Sequence, residues 1–363
     1  MDGILIINKH KGCTSHDIVH KIKKITKEKV GHTGTLDPMA TGVLPLLIGK
    51  GTLCSKYLIE HDKTYKATLK LGIETDTKDL EGRVIQEQAV DIKILEKSNV
   101  ENILKSFVGK QEQIPPIYSA IKVDGKKLYE YAREGKEVRI QPRTIEIYDM
   151  NLEKIDRDNK EIVFKVSCSK GTYIRSLCSD IAKKLGTIGC MSDLERLSVG
   201  RFDITESITL ETINNNIENI NNNLITIERL FDKSKNIILE DKKLKLFLNG
   251  VQLKVKEKDG AFKIYNNNKF IGIDHISAKL IGTGEPAVFI AVQRKLLRNK
   301  TDGTKDLRIG CFKGSSYHPY HGVDHYKPHC NQNYVACYGL NFGHRQHGTF
   351  LLRVHPERRL APL

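Results

Sequence analysis

No stretch of this 363-residue chain approaches the ~18 consecutive apolar residues that a helix needs to cross a bilayer. A membrane-spanning helix is therefore not expected. The eight cysteines are scattered and none forms a Cys-x-x-Cys pair. That spacing offers no zinc module of known type and no basis for a disulfide framework, so free thiols are expected. Met1-Asp2-Gly3 runs straight into the apolar Ile4-Leu5-Ile6-Ile7, without the basic segment and cleavage site of a secretory leader. A cytoplasmic protein is the expectation. Internal repeats at solenoid periods are also missing.

What remains is a globular composition, 28% charged and 39% hydrophobic, long enough for two or three domains with real cores. The formal net charge is +15. Such a balance suits a polyanionic partner, and RNA is the obvious candidate. Charge alone does not separate a nucleic acid from an acidic membrane surface, or either from a merely solvated lysine-rich exterior.

Periodicity divides the chain. Ile4 to Ile7 reads as a short buried strand, and Thr14 or Ser15 as the cap of a helix running to about Ile25. Between Thr64 and Leu71, Tyr65, Ala67, Leu69 and Leu71 alternate with polar residues, the pattern of a half-buried strand. Residues 92–107 carry helical spacing. Ile162, Phe164, Val166 and Cys168 alternate again, then lead through Gly171 into a helix with Ile174, Leu177, Ile181 and Leu185 inward. The expected class is a mixed α/β domain, α+β-like and largely antiparallel, over residues 1–235. Short helices and loops fill 208–230, and short strands follow from about Asn236 to 282. Residues 283–363 change character, to His, Tyr, Gly, Arg and Pro, with a net charge of +7. This tail reads equally as an RNA-binding extension, a disordered arm, or sequence out of its proper frame.

One stretch is built to bend: Gly31-His32-Thr33-Gly34-Thr35-Leu36-Asp37-Pro38-Met39-Ala40-Thr41-Gly42-Val43-Leu44-Pro45. Pro38 fixes its own φ and pushes Asp37 toward an extended conformation. The carboxylate is then either presented to a ligand or simply part of an Asp-Pro turn.

Further blocks accompany it. Lys9, Gly12, Thr14, Ser15, His16 and Asp17 open the chain. Asp62-Lys63-Thr64-Tyr65 precedes Leu71-Gly72, Thr75-Asp76-Thr77, Asp79 and Gly82. Gln113-Ile114-Pro115-Pro116, Tyr118-Ser119-Ala120 and Lys122 come next, with Gly125 and Tyr129. Gly171-Thr172-Tyr173-Ile174-Arg175-Ser176-Leu177 and Leu194-x-Arg196-Leu197 close the series. In this order, over about 200 residues, the five blocks resemble the bacterial tRNA pseudouridine-55 synthase family of TruB type. The resemblance runs from Met1 to about Ile281.

It implies a pseudouridine synthase catalytic domain followed by a small PUA-like β-barrel. It also implies isomerisation of uridine 55 in the T-loop of tRNA, by base flipping and without guide RNA or cofactor. The reaction breaks the N1–C1′ bond, turns the base and joins C5 to C1′. That chemistry calls for a nucleophile at C6 or C1′, a group to manage the C5 proton, and a dry pocket for an extruded base. The resemblance makes Asp37 the nucleophile and Arg175 its cationic partner. A guanidinium in the first turn of a helix is mildly disfavoured by the dipole, which a carboxylate partner would offset. Tyr65 becomes the ring against the flipped uracil, and Tyr173 and Leu194 line the same pocket. His32 becomes a T-loop contact, and Lys9 a pocket or phosphate contact, although His10 stands where the family has proline.

In the tail, His318, His321, His325, His329, Cys330, Cys337, His344 and His347 suggest zinc only by proximity, and no metal site is assigned. The partner expected is the tRNA T-arm, with no membrane and no protein partner, and the protein a monomer. A catalytically inactive RNA-binding or RNA-folding protein on the same scaffold is the alternative, and a guide-dependent relative a third reading. The short N-terminus favours the stand-alone type. Because lysine and arginine contacts release counterions, affinity for an unmodified tRNA transcript is expected to fall steeply as salt rises in a filter-binding titration. A flat response would remove the phosphate-contact argument.

Overall fold

The computed structural model describes residues 1–58, 61–251, 253–254, 260–280 and 286–290. The chain opens with β1 (Gly3–Lys9), α1 (Ser15–Thr26), β2 (Val30–His32), β3 (Thr41–Ile48) and α2 (Ser55–Leu58). It continues through β4 (Lys63–Leu71), β5 (Ile73–Thr75), β6 (Val84–Glu87), α3 (Lys97–Lys105) and β7 (Gly109–Gln113). Next come β8 (Lys122–Val123), β9 (Lys126–Lys127), α4 (Leu128–Arg133), β10 (Arg143–Asp156) and β11 (Glu161–Cys168). Then follow α5 (Ile174–Lys184), β12 (Gly189–Val199), β13 (Phe202–Asp203) and the short helices α6 (Leu210–Ile213), α7 (Ile217–Asn222) and α8 (Ile227–Leu230). The last described elements are β14 (Asn236–Ile238), α9 (Asp241–Leu248), β15 (Leu253–Lys254), β16 (Gly260–Asn266), β17 (Lys269–Leu280) and β18 (Pro286–Ile290).

The main sheet runs β1-β3-β12-β4-β11-β10-β7, with β2 on β3 and β13 on β12. Every neighbouring pair is antiparallel except β12 with β3. The mixed, mostly antiparallel class read from the sequence is therefore what the chain adopts. β1 shows why its apolar run is continuous. Leu5 and Ile7 face a core that includes Ile18 and Ile22 of α1, Val100 and Leu104 of α3, and Leu177 and Ile181 of α5. Ile4 and Ile6 face a second core with Val43, Leu58, Phe202 and Phe231. A strand covered on both faces has no polar side to alternate with.

Thr14 caps α1 as expected: its side chain accepts from the Asp17 N–H, and the Asp17 carboxylate accepts from the Thr14 N–H. The helix expected over 92–107 is interrupted. Ile92–Leu95 forms a 3₁₀ turn started by the Asp91 carboxylate on the Lys93 N–H, Glu96 is extended, and α3 begins at Lys97. The region from Asn236 holds strands around a third small core of Ile237, Leu239, Phe247, Phe262 and Ile264. Its sheet runs β14-β16-β17-β18-β15 and so takes in Pro286–Ile290. It also holds α9, which the strand pattern did not suggest. Lys243-Leu244-Lys245-Leu246 alternates like a strand, yet Phe247 is the residue that turns fully inward. The His- and Cys-rich tail beyond residue 290 lies outside the described residues, as does the zinc question attached to it.

The seam between β3 and β12 is tight. Gly42 lies opposite Arg196, with a φ of +100°, and a Cβ there would sit 2.2 Å from the Arg196 carbonyl oxygen. Neither the backbone angle nor the space admits a side chain. Gly42→Ala is expected to cost about 2–4 kcal/mol in urea unfolding, with the m-value unchanged. A midpoint equal to wild type would show that the seam can open at no cost.

Candidate active site

The loop from Thr33 to Ala40 is held from three sides. Ser15, buried at the start of α1, donates to the Leu36 carbonyl at 3.1 Å and accepts from the Leu36 N–H at 2.9 Å. The Gly12 N–H reaches the Pro38 carbonyl at 3.0 Å, and the Ala40 N–H closes a turn on the Asp37 carbonyl at 3.1 Å. Lys9, at the end of β1, is completely buried. Its ammonium donates to the carbonyls of His10 (3.0 Å), Pro38 (3.0 Å) and Ala40 (2.6 Å). The Asp37 backbone thus does belong to a turn, and its side chain is the part left over for a ligand.

That side chain points into a cleft of about 850 Å³. Tyr65, Tyr173, Arg175, Leu194 and Arg196 line it as well. Arg175 engages Asp37 through both edges: Nε lies 3.1 Å from Oδ2, and Nη2 donates to Oδ1 at 3.3 Å. This is the bidentate geometry that a guanidinium offers and an ammonium does not. Arg175 is itself fixed, by the carbonyls of Thr77 (3.1 Å) and Tyr118 (3.0 Å) and by Asp79, whose Oδ2 is 3.5 Å from Nη1. Asp79 is in turn held by the Thr77 hydroxyl at 2.7 Å and the Glu81 N–H at 3.1 Å.

These neighbours set the charge on Asp37. Burial pushes its carboxyl above the ordinary range, Arg175 pulls it back, and Asp79 pushes it up again. Lys9 and Arg196 pull in the same direction as Arg175. The nucleophile candidate is therefore a desolvated carboxylate kept usable by a surrounding set of cations.

Tyr65 lies on the inward face of β4, 7% exposed. Burial raises its phenol, and its hydroxyl accepts a hydrogen bond from Arg196. Arg196 is 1% exposed and also donates from Nε to the Val43 carbonyl (2.8 Å) and from Nη2 to the Gly34 carbonyl (3.0 Å). One buried guanidinium therefore joins the Asp37 loop, β3 and the Tyr65 ring. Tyr173 precedes α5 at the rim, and Leu194 (5% exposed) sits on β12.

Two expected site residues lie elsewhere. His32 ends β2 and is not among the residues that line the cleft. Burial lowers its imidazole, so the ring is neutral, and its Nδ1 has no partner among the described residues. The expected phosphate contact at Lys9 is corrected by its environment. A fully buried ammonium whose three protons meet three loop carbonyls has none left to present at the surface. His10, in place of proline, supplies one of those carbonyls. The sequence reading also gave no role to Arg196 or Asp79, although both stood inside quoted motifs. Arg196 stands two residues after Leu194, on the same buried face of the strand's alternation, and that position was the available signal.

The main sheet, together with the relatives the chain resembles, gives the class: a pseudouridine synthase, an isomerase that re-attaches a uracil base through carbon. A crystal structure of a Cbf5–Nop10–Gar1 complex shares this fold, with a TM-score of 0.58 and 24% identity, over 80% of this chain and 84% of that one. Residues 22–174 match the TruB family pseudouridylate synthase (N terminal domain), and residues 175–233 match the tRNA pseudouridylate synthase B C-terminal domain. The tRNA pseudouridine synthase B of Clostridium kluyveri is 47% identical over 281 residues, 75% of this chain and 95% of that protein. That of Clostridium tetani is 45% identical over 280 residues, with the same coverage. The chain belongs to the TruB family.

If Lys9 braces the loop, Lys9→Met leaves buried carbonyls unpaired. It is expected to lower unfolding free energy by about 2–4 kcal/mol while leaving the salt slope of RNA binding unchanged. A slope reduced by about one unit with stability intact would restore the phosphate contact.

Proposed function

We propose that this enzyme converts uridine 55 in the T-loop of tRNA to pseudouridine, acting alone on the T-arm without a guide RNA. The observation that carries the reading is the Asp37–Arg175 pair, set at the floor of a cleft beside a buried tyrosine. The curated relatives that are 47% and 45% identical to it over 281 and 280 residues are named for tRNA. A uridine extruded from its stack would enter between Tyr65 and Leu194, its base against the tyrosine ring. Flipping costs a few kcal/mol of lost stacking. An aromatic wall recovers part of that, since base–aromatic stacking is worth about 1–3 kcal/mol.

Asp37 then attacks C6 of the uracil or C1′ of the ribose, the base turns, and C5 joins C1′. A carboxylate suits both halves of this sequence, because it can form an adduct and leave again. Tyr65 stands closest in kind to a group for the C5 proton, with Arg196 holding its hydroxyl oxygen. Atoms balance without an oxidant or a phosphate donor, so the chemistry asks for no cofactor. His32, half-buried at the end of β2 with a neutral ring, serves as the contact to the distorted loop. The five-stranded segment from Asn236 supplies a second RNA surface of PUA type, and the catalytic domain ends near residue 235. The protein acts as a cytoplasmic monomer. Among the described residues no helix is long and apolar enough to cross a membrane.

Asp37→Asn is expected to abolish pseudouridine formation in an unmodified tRNA transcript while binding the RNA normally. Because burial raises the carboxyl in the folded state, its ionised form costs stability once the pH passes that raised value. The asparagine variant should therefore melt no lower than wild type at neutral pH, since Asp79 still neutralises Arg175. For the same reason the acid limb of wild-type kcat should lie above the ~4 of an ordinary aspartate. Residual modification by Asp37→Asn would overturn the nucleophile assignment.

A further inference from the structure

α5 begins without a cap of its own. Its N-cap residue is Tyr173, which makes no side-chain capping bond. The job is done from a distant strand. Gln113, at the end of β7 and 4% exposed, accepts from the Tyr173 N–H at 2.8 Å and donates to the Tyr173 carbonyl at 3.1 Å. In an ordinary capping box, the side chain three residues into the helix would reach back to that N–H. Here that residue is Ser176, and its hydroxyl goes instead to the Ile114 carbonyl at 2.9 Å. The turn that carries Tyr173 and Arg175 is thus bolted twice, to two consecutive residues where β7 ends. The chain leaving β7 then returns a third link, the Tyr118 carbonyl on Arg175 Nη2.

We infer that Gln113 is a positioning residue for the reaction: its carboxamide sets the first turn of α5 and thereby the aim of the Arg175 guanidinium at Asp37. The inference rests on the nucleophilic role proposed for Asp37. A primary amide carries its acceptor and its donor on separate atoms, so it can accept from an N–H and donate to a C=O of the same residue at once. Its length carries it from the edge strand to the helix start. Loss of this pair would leave the half-buried Tyr173 N–H without its partner and the Tyr173 carbonyl with only the Leu177 N–H, and the turn would be tied to the end of β7 by Ser176 alone. Even small errors in aim matter, because a misplacement of about 1 Å costs on the order of 100-fold in rate.

The charge on Asp37 is the reporter. The ionisable groups that face it are Arg175 from α5, Asp79 from the turn after β5, Lys9 from β1, Arg196 from β12 and Tyr65 from β4. Only Arg175 depends on the α5 turn. If that guanidinium swings away, burial and Asp79 act on the carboxyl with less opposition. The acid limb of activity must then move to higher pH.

The test compares wild type, Gln113→Met and Gln113→Glu on an unmodified tRNA transcript, with Asp37→Asn as the inactive control. Gln113→Met keeps the side chain's length and apolar volume but makes neither bond. It is expected to lower kcat about 10- to 100-fold with KM for RNA little changed, and to shift the acid limb upward. Gln113→Glu still accepts from the Tyr173 N–H but cannot donate to the carbonyl, so it should fall between Met and wild type in rate. A limb at the wild-type pH in both variants, with kcat reduced only in proportion to the folded fraction by circular dichroism, would overturn the inference. An inactive wild-type enzyme would instead overturn the function proposed above, so the two failures are told apart.

Discussion

A carboxylate that is to act as a nucleophile must be charged, and this one sits where burial favours the neutral acid. Most of the fold around the cleft answers that conflict. Arg175 supplies a two-point partner, and Asp79, Thr77 and Tyr118 hold the guanidinium in place. Asp79 is not a free benefit, since it also pushes the Asp37 carboxyl upward. Its presence makes sense as a compromise. It fixes the arginine strongly, and the remaining cations, Lys9 and Arg196, restore the balance. The net effect still leaves the Asp37 carboxyl above its ordinary range, with both of its oxygens paired to the Arg175 guanidinium.

The same economy appears in how each cation is held. Lys9 and Arg196 are completely buried, and both meet backbone carbonyls. Burying such groups without partners would cost several kcal/mol each. Satisfied in this way, they serve as fasteners for the Asp37 loop and as positive charge near its carboxylate. Arg196 adds a third task by gripping the Tyr65 hydroxyl. Charge placement and loop geometry are thus one design problem here, solved by the same side chains.

Much of this was legible in the sequence. Alternation at Tyr65–Leu71 and Ile162–Cys168 gave the two central strands, because each side of those strands meets a different environment. The bend around Asp37 and the resemblance carried by five ordered blocks pointed to Asp37, Arg175 and Tyr65, which do line one cleft. Other features were not legible, for physical reasons. Lys9 looked like a surface cation because sequence does not reveal which carbonyls a folded loop will turn inward. Glu96 breaks the helical pattern of 92–107 through its backbone angles alone. α9 hid behind alternating Lys and Leu, with Phe247 entering the small core and Leu244 packing against it. Arg196 and Asp79 were visible as letters, but their roles follow from a spatial meeting of β12, the turn after β5 and α5.

The position of β12 in the sheet has a consequence for how the enzyme comes into being. It inserts between β3 and β4, two strands made much earlier, and brings both Leu194 and Arg196. During synthesis the middle of the sheet must wait open until that late segment arrives, and pairing across such long separations is slow. A nascent or shortened chain that stops before β12 would own its acid and its arginine but no closed pocket. The cleft thus draws its lining from segments at opposite ends of the catalytic sequence, and its last wall is the last to be made.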